Sequence, residues 1–107
     1  MTDEEIKKRP WFALEKYSDK LTAEQLDYCI HEMPCTALKY CSDKLTPEQF
    51  DYCVRIGTSN ALAYCSDKLT EEQFNFCMHK DPWMALAYCA DKLTLEQKRY
   101  CEDMIDD

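Results

Sequence analysis

The chain holds a single glycine and four prolines in 107 residues. That scarcity argues against a loop-rich or disulfide-stapled fold. No apolar run approaches the ~18 residues that a membrane span needs. The start, Thr2-Asp3-Glu4-Glu5, has nothing of the basic and apolar make-up of a signal peptide. These absences predict a cytoplasmic chain with no membrane partner. A cationic surplus is missing as well. The net charge of -8 disfavours direct binding to nucleic acid and favours a protein partner with a basic surface, or simply solubility. There is no Gly-rich phosphate loop, no G-x-S-x-G and no H-E-x-x-H, so no enzyme and no cofactor are expected. Linkers and composition breaks are absent too, and the length suits one domain with a modest core.

What is present is a repeat. The octet Ser42-Asp43-Lys44-Leu45-Thr46-Pro47-Glu48-Gln49 recurs with small changes at 18–25, 66–73 and 90–97, always 24 residues apart. The chain divides into a cap at 1–9, repeats at 10–33, 34–57, 58–81 and 82–105, and an acidic tail at 106–107. Each repeat reads as two helices. The first opens at Pro10, Pro34, Thr58 or Pro82, and proline suits a first turn because the N–H it lacks has no partner there. Asp81 stands before Pro82 as an expected N-cap. Ala37, Leu38, Cys41 and Leu45 then mark one apolar face. The second helix opens at Thr22, Thr46, Thr70 or Thr94, with Gln three residues on, which is a capping box. Its apolar face runs Phe50, Cys53, Val54, Gly57. In the cap, Thr2 and Glu5 form a similar box and Ile6 takes the slot of Ile30 and Val54.

Helix pairs of ~10 residues cannot bury their own apolar faces, so neighbours must stack. The prediction is an all-α fold: a short right-handed α-solenoid of four helix-turn-helix repeats plus a capping helix. Lys98, Arg99 and Glu102 make the last repeat more polar, as a terminal unit requires.

The run Ala37-Leu38-Lys39-Tyr40-Cys41-Ser42-Asp43-Lys44-Leu45 resembles the tandem α-helical-hairpin repeat proteins, most closely an ALxYAS-type repeat family of unassigned function, with the solenoid logic of tetratricopeptide repeats. The second helix departs from that family in its Thr-x-Glu-Gln start and its cysteine. The resemblance implies a helical stack and, by analogy, a protein-binding role.

Cys29, Cys41, Cys53, Cys65, Cys77, Cys89 and Cys101 recur every 12 residues, and Cys35 stands outside the series. Small apolar packing is the leading reading, with disulfides or a metal- or redox-responsive thiol ladder beside it. The spacing lacks the close pairs of zinc sites, so no metal ligand set is named. Cys35 falls in the column of Trp11, Ser59 and Trp83 and is the thiol expected at the surface. His31 and His79 share a repeat position two repeats apart. At ~10 Å per layer they are too distant to share a metal or a proton. The Asp-Lys pairs at each bend read as turn scaffold, and the tyrosine rows read as packing between repeats.

If repeated positions build the scaffold, varied positions are where a partner is read. Trp11, Phe12, Trp83 and Met84 are the expected anchors, with the ends of the stack as their alternative destination. Asp27, Asp51 and Glu32, with Arg55, are the expected polar stripe. The functional expectation is a non-enzymatic protein-binding module, an adaptor or steric inhibitor. A sharper version is an acidic decoy that blocks a nucleic-acid-binding protein, such as a viral inhibitor of a host defence nuclease. The alternative is a thiol-rich metal-binding or redox-responsive protein. The oligomeric state is not set by any of these features.

Overall fold

A computed structural model describes residues 2–105, so the acidic tail lies outside the described residues. Among those residues there are nine α-helices and no strand: α1 (Asp3–Lys8), α2 (Pro10–Lys16), α3 (Ala23–Glu32), α4 (Pro34–Cys41), α5 (Pro47–Ile56), α6 (Thr58–Tyr64), α7 (Glu71–Lys80), α8 (Pro82–Cys89) and α9 (Leu95–Ile105). Short 3₁₀ turns at Ser18–Lys20, Ser42–Lys44, Ser66–Lys68 and Ala90–Lys92 join the two helices of each repeat. The fold is the all-α stack that the periodicity predicts.

The capping boxes form. Thr22, Thr46, Thr70 and Thr94 each accept from the Gln amide three residues on, while that Gln side chain accepts from the Thr N–H at 2.9–3.0 Å. Thr2 and Glu5 do the same for α1. Two otherwise orphaned donors are satisfied at each start.

Between one repeat and the next the chain spends a single residue. Met33, Gly57 and Asp81 each end one helix by donating to the carbonyl four residues back, at 2.7–2.8 Å. Each also starts the next helix with its own carbonyl, at 2.9–3.1 Å. One φ/ψ pair, near -133° and 65° at Met33, therefore sets the angle between consecutive hairpins. Asp81 adopts this backbone but makes no side-chain cap, which corrects the sequence expectation. Its carboxylate instead accepts from the Thr58 hydroxyl at the start of α6. Gly57 needs no special backbone, since its φ is -105°. What it provides is room: a methyl there would stand 2.9 Å from the Cys35 sulfur.

The first helices stack as one layer, α2 on α4 on α6 on α8, and the second helices as another, α3 on α5 on α7. The short α1 packs against both α2 and α3. The stack measures 49 × 24 × 17 Å with a radius of gyration of 15.5 Å. A compact chain of this length would give about 13 Å, so the molecule is elongated. Its core is a continuous column between the layers. Leu14, Leu38 and Leu62 line it from the first layer, and Ile6, Ile30, Val54 and Met78 from the second. All seven periodic cysteines lie in it as free thiols, buried and without disulfides, while Cys35 is exposed.

The two cysteine sets differ. Cys41, Cys65 and Cys89 donate to the carbonyls of Leu14, Leu38 and Leu62 in the preceding repeat, at 3.2–3.3 Å. Cys53 and Cys77 are equally buried but make no such hydrogen bond. A hydroxyl in place of Cys65 keeps a carbonyl to bond. A hydroxyl in place of Cys53 has only its own helix to bond back to. Cys53→Ser is therefore expected to cost about 2 kcal/mol and at least twice as much as Cys65→Ser. Alanine at the two sites should cost about the same. Urea melts of the four variants check this; equal serine costs would remove the distinction.

Candidate interaction surface

Two polar ladders, in addition to the thiol bonds, tie each repeat to the one before it. Lys44 reaches back to Asp19 and to the Ser18 hydroxyl, the latter at 2.9 Å. Lys68 does the same to Asp43 and Ser42, and Lys92 to Asp67. The ammonium groups hold the carboxyls of Asp43 and Asp67 below the usual range, mainly through these hydrogen bonds. The second ladder runs along the other layer. Gln25, Gln49, Gln73 and Gln97 donate their side-chain amides to Asp3, Asp27, Asp51 and Asn75, at 2.8–3.2 Å. The same glutamine thus caps its own helix and grips the previous one. Exposed ion pairs contribute only ~0–1 kcal/mol each. Burial of the leucine column carries the stability.

These ladders absorb much of the expected polar stripe. Asp27 and Asp51 are acceptors within the scaffold, and Arg55 donates to Asp51 at 2.9 Å while lying 5.1 Å from the Phe76 ring centre. The Gln73 amide and Arg55 together keep the Asp51 carboxyl below its ordinary range. Glu32 is exposed, close to Tyr28. Burial and the Glu32 carboxylate together raise the Tyr28 phenol above its ordinary value.

The anchors divide as well. Trp11 and Trp83 are exposed at 45% and 57%. Phe12 is half-buried, its ring 5.9 Å from that of Trp11 and 5.6 Å from that of Tyr17. Met84 is a correction: it is buried at 9% and belongs to the core. The tyrosine rows also divide. Tyr28, Tyr52, Phe76 and Tyr100 pack half-buried against the core. Tyr40, Tyr64 and Tyr88 do not pack as expected; they stand 45%, 54% and 58% exposed along the first layer. Positions 40, 64 and 88 lie beside the buried column of Cys41, Cys65 and Cys89, one residue further round the helix. A tyrosine there clears the interface.

Desolvation pushes the thiols of Cys53 and Cys77 up to about 12 and that of Cys29 to about 11, so they stay protonated and unreactive at neutral pH. His31 and His79 bond the carbonyls four residues back, at 2.8 and 2.7 Å, and lie against the rings of Tyr52 and Tyr100. Among the described residues no three His, Cys, Asp or Glu side chains converge as a metal site would need. No described helix is long and apolar enough to cross a membrane.

The fold and surface define a two-layer α-helical repeat stack with an exposed aromatic row on its first layer. Compared with protein-family models, curated proteins and solved structures, the chain matches none.

Proposed function

We propose that this chain is a non-enzymatic protein-binding repeat module that acts as an adaptor or steric inhibitor by occupying a partner's surface. The observation that carries this reading is the row of Tyr40, Tyr64 and Tyr88, exposed on one layer while other residues hold the scaffold. Large aromatics left at a surface are where interface energy concentrates. The net charge of -8 favours a partner with a basic surface. In its sharper form the module is a cytoplasmic acidic decoy for a nucleic-acid-binding protein, and its binding weakens steeply with salt.

The test is affinity capture from host lysate at low and high salt, comparing the wild-type chain with a Tyr64→Ala/Tyr88→Ala variant of unchanged circular dichroism. A protein retained by the wild type and lost by the variant supports the reading, and its loss at high salt selects the decoy form. Identical capture by both, or none by either, overturns it.

A further inference from the structure

The aromatic row already holds a cation at one of its two intervals. The Lys39 ammonium lies 5.2 Å from the ring centre of Tyr40 and 5.5 Å from that of Tyr64, so one charge serves two rings of adjacent repeats. This is the geometry in which a π-face attracts an ammonium. The neighbouring hydroxyl of Tyr40 supports the charged form, and the pKa of Lys39 is raised.

The next interval along the row repeats the tyrosine pair but lacks its cation. Tyr64 and Tyr88 stand 24 residues on from Tyr40 and Tyr64, on the next pair of stacked helices. At the position of Lys39 the chain has Ala63, and one repeat further on it has Ala87. Both rings are more exposed than that of Tyr40. Trp83, one helical turn before Ala87, stands exposed on the same helix. The lysines at the adjoining bends are already paired, Lys68 with Asp43 and Lys92 with Asp67. Among the described residues no ammonium lies over the Tyr88 ring.

We infer that the slot between Tyr64 and Tyr88 takes a lysine side chain of a partner protein, in the place that Lys39 fills one repeat earlier. The occupant is a primary ammonium because that is the group the equivalent slot holds. The -8 charge of the chain favours its approach. A lysine-bearing surface is the kind of basic partner the module is proposed to cover, so the inference rests on that reading for its biological setting. Its test needs no partner.

The experiment follows ¹³C-labelled tyrosine ring resonances during titration with Nα-acetyl-lysine N-methylamide, with the norleucine analogue as the uncharged control of similar length. The expected result is a saturable shift at Tyr64 and Tyr88, with the lysine probe binding about two- to five-fold more tightly than norleucine, the range an exposed cation–π contact supplies. Tyr88→Ala, at an exposed position, should abolish the response and leave the Tyr40 resonance in place. Ala63→Lys should fill the slot from within, shift the Tyr88 ring without probe and block titration. Equal binding of norleucine, an unblocked response in Ala63→Lys, or no response at Tyr64 and Tyr88 overturns the inference. Any of these leaves the capture result free to stand, whereas failed capture with a lysine-responsive slot removes the protein-binding reading alone.

Discussion

Replacing Leu62 by alanine is expected to lower stability by about 3–4 kcal/mol, the loss that follows when a fully buried leucine leaves a cavity that cannot collapse. Leu62 is completely buried on α6, at the centre of the stack, and its carbonyl accepts a hydrogen bond from the Cys89 thiol. With a urea m-value of about 1.5 kcal/mol/M the midpoint should fall by about 2 M. Leu86 occupies the same column one repeat later but is only partly buried. Leu86→Ala should therefore cost less than half as much. A repeat stack is stabilised by nearest-neighbour contacts, so a weak central interface should also uncouple its ends. Trp11 on α2 and Trp83 on α8 report those ends separately. In single-tryptophan versions of Leu62→Ala the two unfolding transitions should move apart. A loss below about 1 kcal/mol would contradict a load on this column.

Alkaline pH is expected to unfold the chain through its buried thiols. In the unfolded state a cysteine ionises near 9.0, whereas in the fold Cys53 and Cys77 keep their protons to about 12 and Cys29 to about 11, because burial disfavours the thiolate. Above pH 9 the folded state binds more protons than the unfolded one. The stabilisation is complete below pH 9 and is lost as pH rises through the folded values. Each such thiol contributes a slope of about 1.4 kcal/mol per pH unit. Three together give about 4 kcal/mol per unit, enough to consume an ordinary domain stability within about two units. Urea melts at pH 8, 9 and 10 should show this fall, and Cys53→Ala should flatten it by about one proton's worth. Equal stability at pH 8 and pH 10 would mean that the thiols are not desolvated.

Much of this architecture is legible in the chain before any coordinates. The 24-residue period, the helix starts at Thr22, Thr46, Thr70 and Thr94, and the packing role of the cysteines are all readable there. Each rests on contacts within a few residues or on a 3.6-residue face. The anchor set was less legible. Met84 and Trp83 are adjacent in sequence, and composition cannot tell which of two neighbouring apolar residues faces the core when the helix is nearly apolar all round, as α8 is. The exposure of Tyr40, Tyr64 and Tyr88 was missed for a related reason: a tyrosine beside a buried cysteine reads as packing from either layer. The signal that could have found it is Lys39, a charge next to a tyrosine on a face whose other columns are filled by alanine and leucine.

The sequence by itself determined that the chain is a stack of helical hairpins, where each hairpin starts, and which columns are apolar, because local hydrogen bonds and helical periodicity act within a repeat. Only the tertiary structure decided how one hairpin grips the next. Cys41 meets the carbonyl of Leu14, Lys44 meets Asp19, and Gln49 meets Asp27, across separations of 22 to 27 residues. Near-identical repeats offer near-identical partners at every register. The choice among them falls to the angle set by one residue, Met33, Gly57 or Asp81, at each junction. In the resulting stack the cysteine column is buried and Tyr40, Tyr64 and Tyr88 stand exposed.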